Sequence, residues 1–320
     1  MQLVTADGEL LEQILDATYP IWQEGLSRES YGRWNVAQRR TAWGRDHLQR
    51  LALLDDRGEW VATAKRYTWP VRLDGRDATM CGLGAVFTRP EWRGRGYASE
   101  LIERVADDAR AQGAAVVGLF SEIGESFYRR LGFEPASLDE VTVAVDLKKG
   151  GAPAMLVRAG EARDLPALVA MHDTRSSGVR FTIRRDAGII EYALAKKRLL
   201  AALGAPGVRQ IEFFVVEEAT VAVAYAVVMV TAGGWTLEEA GDRDPHGARL
   251  GALLQVLLAR EPSLGTPLIR AWWPPAFPVP PQVRLTDRVP ARDVFMLRPL
   301  GDIRVPTAAN DLFYWRSDYF

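Results

Sequence analysis

The sequence predicts a mixed α/β fold of the α+β kind, built twice in tandem over 320 residues. Three observations carry this. Apolar positions switch between helical and strand spacing along the whole chain. The order of elements repeats beyond residue 150. Each half also contains a strand, a glycine-bearing loop and an apolar-faced helix in immediate succession. The length is about twice the ~150-residue prior for one domain, in agreement with two units over 1–150 and 151–320.

Composition narrows the function classes. Apolar residues make up 48% and charged residues 25%, ordinary globular values that exclude a disordered chain. Forty basic and forty-one acidic residues leave a net charge of −1, so no general electrostatic attraction to nucleic acid or an anionic membrane is expected. The single cysteine, Cys81, excludes an intramolecular disulfide and a cysteine-based zinc cage, and it reads as a buried, inert strand residue. His47, His172 and His246 stand at no metal-ligand spacing, so no metal is expected. The first residues lack the basic start and apolar run of a signal peptide. The apolar run Val221–Ala232 is far shorter than the ~20 residues that span a bilayer and reads as a buried strand. A cytoplasmic location is the expectation.

The first half opens with a predicted helix over Leu10–Leu26, with Leu10, Ile14, Ala17 and Ile21 on one face, and a second over Ala37–Leu48. Strands follow at Leu51–Leu54, Trp60–Trp69 and Thr79–Phe87, the first two separated by the turn signal Asp55-Asp56-Arg57-Gly58. Ala98, Leu101, Ile102, Val105 and Ala109 give a helix over Tyr97–Gln112, closed by Gly113. A strand at Ala115–Phe120, a short helix at Gly124–Leu131 and strands near Val141–Leu147 complete the unit. Lys148–Pro153 has linker composition.

The second half repeats this order with a strand at Met155–Arg158 and helices at Asp164–Arg175 and Ala187–Leu203. Strands at Gln210–Glu217, Val221–Val230 and Gly234–Ala240 lead to a loop, a helix over Gly247–Arg260 and strands at Leu268–Trp272 and Val294–Leu297. Arg180, Arg184, Arg185, Lys196, Lys197 and Arg198 read as a solvated basic surface, and Trp272-Trp273-Pro274-Pro275 as packing aromatics.

The segment that speaks to function is Val86-Phe87-Thr88-Arg89-Pro90-Glu91-Trp92-Arg93-Gly94-Arg95-Gly96-Tyr97-Ala98. A strand enters a loop with two glycines, and a helix starts at once. Glycine allows close backbone approach, and the first N–H groups of the helix lack internal partners, so the loop suits a pyrophosphate. A nucleotide P-loop is excluded because no Gly-Lys-Ser/Thr follows. A dinucleotide fingerprint requires a third glycine where Ser99 stands. The spacing Arg93-Gly94-x-Gly96-x-Ala98 instead resembles motif A of the GNAT superfamily of acetyltransferases. Ser126-Phe127-Tyr128-Arg129-Arg130-Leu131-Gly132-Phe133 resembles the family's following helix. The Val86–Ala98 segment, with Ser121-Glu122-Ile123-Gly124 ahead of Phe127-Tyr128, is similar to the fungal lysine N6-acetyltransferase group. The tandem layout and Phe320 resemble the enhanced-intracellular-survival acetyltransferases, which acetylate aminoglycosides and lysine amines and carry a third domain that this chain is too short to hold.

The resemblance implies two tandem GNAT-like domains, each a mixed, mostly antiparallel sheet flanked by helices. It implies acetyl-CoA as co-substrate, with Val86, Phe87, Thr88, Arg93, Gly94, Arg95, Gly96, Tyr97, Ala98, Ser121 and Phe127 as its binding residues. The acceptor it implies is a small-molecule or lysine-type amine, acetylated by direct attack in a ternary complex. Tyr128 matches the tyrosine that protonates the departing sulfur; a phenol of pKa ~10 keeps its proton at neutral pH. Two groups compete as base: the α-carboxylate of Phe320, at the end of a tail too aromatic for a frayed terminus, and Glu122. The second-half loop, Gly241-Asp242-Arg243-Asp244-Pro245-His246-Gly247, carries acids where phosphates would sit, and Pro245 lacks an N–H. No second acetyl-CoA site is expected there. A non-catalytic acyl-CoA-binding regulator is the alternative, and a dinucleotide oxidoreductase a third reading.

Overall fold

The helices and strands build two sheets that interlock. The computed structural model describes residues 1–147, 154–260 and 266–320, so the linker expected at Lys148–Pro153 lies outside the described residues. The first half runs β1 (Gln2–Thr5), α1 (Gly8–Trp22), α2 (Arg28–Arg40), α3 (Ala42–His47), β2 (Leu48–Leu54), β3 (Trp60–Leu73) and β4 (Arg76–Thr88). It continues with α4 (Tyr97–Ala111), β5 (Val116–Ser121), α5 (Ser126–Arg129), β6 (Glu134–Pro135) and β7 (Asp139–Val145). Then follow β8 (Val157–Ala159), α6 (Leu165–Ser176), β9 (Phe181–Ile183), α7 (Ala187–Leu203), β10 (Arg209–Glu218), β11 (Val221–Thr231) and β12 (Gly234–Asp242). The chain closes with α8 (Ala248–Ala259), β13 (Ile269–Trp272), β14 (Val283–Pro290), β15 (Val294–Pro299) and β16 (Leu312–Phe313).

One sheet has the order β1-β2-β3-β4-β5-β15-β6, with β9 paired to β3 and β16 to β9; the other runs β14-β7-β13-β12-β11-β10-β8. Pairing is antiparallel except for β4 with β5, β12 with β13 and β16 with β9. Strands cross between the halves. The strand expected to finish the first unit, β7, lies instead in the second sheet between β13 and β14. In exchange, β15 of the second half inserts between β5 and β6. Hydrophobic alternation specifies a buried face but not which sheet supplies the neighbours.

Three further expectations are corrected. On α1 the buried residues are Leu11, Ile14, Leu15 and Thr18, and Ile21 is half exposed, because the helix is covered from one side by the sheet and from another by α2. The helix α2 falls mostly ahead of the predicted Ala37–Leu48; its low mean hydropathy hid it, and Thr41, capping α3 at Gly44, separates the two. The basic run is not a solvated surface throughout: Arg185 is buried, and Lys196 and Lys197 line an internal cavity. Cys81 is buried within β4, and burial pushes its thiol up to about 11. Trp272 and Trp273 are both packed in the core. The five leucines of α8, Leu250, Leu253, Leu254, Leu257 and Leu258, all face the second core. Among the described residues no helix is long and apolar enough to cross a membrane.

Candidate active site

The site grows from a divergence between two parallel strands. Strand β4 pairs β5 only from Met80 to Leu83, although both strands continue beyond that point. The register against β3 slips between Thr63 and Lys65, and Ala85 adopts φ 48, a β-bulge that turns β4 away from its neighbour. Val86 and Thr88 are half-buried beyond the bulge, while the Phe87 ring packs with Ala6, Ile14 and Trp60. Only the backbone of Phe87 is therefore available to a ligand.

The loop after β4 ends at Gly96, whose φ of 85 precedes α4, and no side chain caps that helix. Gly94 has φ 76, and a Cβ at either glycine would meet open space, so the left-handed backbone and not crowding requires glycine here. The N–H groups of Tyr97, Ala98 and Ser99 lie in the first turn, where no helical carbonyl reaches them. The Arg93 guanidinium lies 5.7 Å from the Phe87 ring and donates to the Thr88 carbonyl at 3.2 Å. Arg95 stands over Trp92 at 4.9 Å and remains exposed. Arg89 is tied to Glu91 and to the Trp60 carbonyl.

On the far side of the divergence, Ser121 donates to the Gly124 carbonyl at 2.6 Å and holds the turn from β5 into α5. Phe127 and Tyr128 make an edge-on ring contact there, with Tyr128 buried against Phe133. Burial, and then the negative charge of Glu122, push the Tyr128 phenol up to about 12.

The C-terminal tail reaches this same point. Strand β16 seats it on β9; the Tyr314 hydroxyl donates to Ala136 and accepts from the Leu138 N–H. Arg185, buried, bridges Glu239 of β12 to Asp318 of the tail and donates to Ser317 at 2.7 Å. The final ring, Phe320, packs against Tyr67, Trp69 and Phe120. A Cβ on Gly82 would come within 2.8 Å of that ring, and one on Gly84 within 3.2 Å of the Phe320 main-chain carbonyl carbon and oxygen. The two glycines of β4 thus make room for the end of the tail beside the bulge. Glu122 lies next to it and accepts hydrogen bonds from Trp22 Nε1 at 3.2 Å and from the Tyr319 hydroxyl at 2.9 Å.

Beside this junction opens a cavity of about 190 Å³, whose lining includes Ala85, Glu122, Tyr319 and Phe320. Its other walls come from α1, α2, β3, α7 and β10 to β12, including Trp22, Trp34, Lys65, Tyr67, Lys196 and Glu238, with Glu24 just after α1. None of these was singled out from the sequence as a site residue, and no spacing rule could have done so. Nor does any motif mark Ala85, a non-glycine residue at positive φ. Among the described residues no group of three or more His, Cys, Asp or Glu side chains is placed to hold a metal ion.

The equivalent junction of the second half is closed. Strand β12 pairs β13 only as far as Leu237, and the register then slips at Glu238. Beyond it, the Asp242 carboxylate accepts from the N–H groups of Leu250 and Asp244, both at 2.8 Å. Asp244 accepts from the His246 N–H.

Residues 13–136 match the family model described as an acetyltransferase (GNAT) domain. Solved structures resemble nearly the whole chain. A GCN5-related N-acetyltransferase from Anabaena variabilis superposes with a TM-score of 0.67 at 13% identity, covering 94% of this chain and 73% of that one. One from Kribbella flavida gives 0.63 at 19%, covering 93% and 70%. Eis1 from Mycobacterium abscessus gives 0.55 at 15%, covering 94% and 74%. At these identities the likeness is one of fold. No curated protein matches the chain.

Proposed function

From the match of residues 13–136 to a GNAT acetyltransferase domain model, we propose that the protein transfers acetyl from acetyl-CoA to a primary amine by direct attack in a ternary complex. The observation that carries this reading is the meeting of the tail's last residue, the β4 bulge and a cavity at one point. The residues fit the co-substrate. The uncapped start of α4 and the positive-φ glycines before it offer main-chain donors to a diphosphate, and Arg95 adds exposed charge beside them. The backbone of Val86, Phe87 and Thr88 is unpaired on its β5 side and is suited to align a thioester arm. Acetyl-CoA, when bound, supplies the activated acyl group.

The amine attacks as a free base and must lose a proton. Both Glu122 oxygens already accept hydrogen bonds, whereas the α-carboxylate of Phe320 takes none among the described residues. The terminal carboxylate is therefore the better proton acceptor, and Glu122 orients Tyr319 beside it. Tyr128 keeps its proton at any physiological pH. As an acid it is weaker than a thiol by roughly three powers of ten. Tyr128 therefore acts by hydrogen-bonding the departing sulfur as charge develops on it, with proton delivery completing afterwards.

Thiol release across a panel of amines tests the reading. Tyr128→Phe is expected to lower kcat by about 100-fold, and a glycine appended after Phe320, which keeps the ring but displaces the carboxylate, by a comparable factor. Acetyl-CoA affinity should stay within about twofold in both. An unchanged rate in the extended chain overturns the assignment of the base. Acetyl-CoA binding without thiol release from any amine overturns the enzymatic reading.

A further inference from the structure

Among the described residues, two of the lysines lining the acceptor cavity, Lys65 and Lys196, form no ion pair, although Glu24 and Glu238 line the same cavity. Arg50, Lys65 and Gly84 are cross-strand neighbours on β2, β3 and β4, so Lys65 sits between a buried guanidinium and the position beside the end of the tail. Arg50 donates from Nε to Thr63, and both its terminal nitrogens are buried without an acceptor. Lys65 contacts the Trp34 ring at 5.3 Å and forms no ion pair among the described residues. Lys196, across the cavity, donates to the Tyr319 carbonyl and is likewise unpaired. The other cations here are compensated: Lys197 meets Glu238 at 2.6 Å, and Arg316 meets Glu140 at 3.6 Å.

We propose that Lys65, with Arg50 behind it and Lys196 opposite, forms an anion subsite, so that the acceptor is a compact amine carrying its own carboxylate or phosphate. This rests on the acetyltransfer reading and names the class of its acceptor. Several physical arguments support it. Buried donors without partners are costly, and the ordinary remedy is a bound anion or water. Desolvation, reinforced by the charges of Arg50 and Lys196 and only partly offset by Glu24, holds the Lys65 ammonium well below its usual range, and an arriving anion raises it again. The volume of about 190 Å³ also lies below the ~300–1,000 Å³ of pockets for drug-sized ligands, which favours a small molecule. Phe320, Glu122 and Glu24 line the same cavity, so an amine also finds acidic groups there.

Matched amines decide the matter. An α-amino acid is compared with its amide, and an aminoalkyl phosphate with the corresponding amino alcohol, in the native protein, Lys65→Met and Lys65→Arg. The expected result is a native kcat/KM at least about tenfold higher for one anionic member, carried mainly by KM. That preference should collapse in Lys65→Met and persist in Lys65→Arg, and whichever pair shows it identifies carboxylate or phosphate. Equal rates for both members in the native protein overturn the proposal, even where Lys65→Met fails to fold. So does an equal fall in kcat for every amine in Lys65→Met, which would assign Lys65 to the terminal carboxylate. Where no amine releases thiol, the same pairs are compared by calorimetry. Tighter binding of an anionic member then upholds the subsite while the acetyltransfer reading alone fails, and equal binding overturns both.

Discussion

The junction between β4 and α4 and the one between β12 and α8 share a plan and differ in what occupies them. Each strand leaves its parallel neighbour after a few residue pairs, slips register and enters a loop that ends in a positive-φ glycine: φ 85 at Gly96 and 70 at Gly247. At the first, the helix mouth is uncapped and its donors are unspent. At the second, Asp242 has taken the Leu250 amide, and Arg175 ties down the loop carbonyls of Asp242, Asp244 and Pro245. The tail also treats the two junctions differently. It is locked to the second by Arg185 and Asp318 and presents its end to the first. The same backbone geometry therefore leaves free amides at one junction and forms a structural anchor at the other, according to whether a carboxylate of the protein has already taken them.

This comparison can be broken at either end. Ser99→Asp places a carboxylate in the first turn of α4, as the protein itself does at the second junction. Acetyl-CoA affinity measured by calorimetry is expected to fall by about 100-fold, while the melting temperature holds or rises, because an acid favours a helix start. Retained affinity would show that the helix mouth is not the diphosphate site. Gly96→Val forces a β-branched residue into the left-handed region and should weaken binding by about tenfold or more.

The anchoring side responds to acid. His172 packs edge-on against Phe313 of the tail and donates to the Ile183 carbonyl at 3.0 Å; burial pulls its imidazole down to about 3. Between pH 6.5 and 3 the unfolded chain holds a proton here that the folded one does not. Stability contributed by this site is thus complete above pH 6.5 and lost as the pH falls, at about 1.4 kcal/mol per pH unit. Denaturant titrations of the native protein and His172→Gln should diverge with that slope, and parallel curves would exclude it. The smallest effect is expected for Asp242→Ala, which loses about 1 kcal/mol of capping, read as a lower melting temperature, and gains no affinity for acetyl-CoA.

Much of the first junction is legible in the chain itself. Gly94 and Gly96 ahead of the Leu101–Ala109 stripe announce a loop with free amides, because both the backbone freedom and the helix start are local properties. Tyr128 and the aromatic tail are likewise visible there. The acids at Asp242 and Asp244 mark the second loop as unlike the first, although which amides they satisfy depends on the turn they fold into. The cavity is not legible. Its walls come from both halves, from α1, α2 and β3 and from α7 and β10 to β12, and Trp34 and Lys196, far apart in sequence, meet only because α2 packs on α7.

Residue spacing alone determined the α+β class, the doubled element order and the glycine-bearing loop that opens into an uncapped helix mouth, since each depends on contacts between near neighbours along the chain. Tertiary structure alone decided that β7 and β15 change places between the sheets, that Arg185 is buried under the tail, and that Phe320 ends beside Gly84. Those outcomes follow from which apolar faces and which charges find one another across more than a hundred residues, and no periodicity in the chain encodes a partner at that distance.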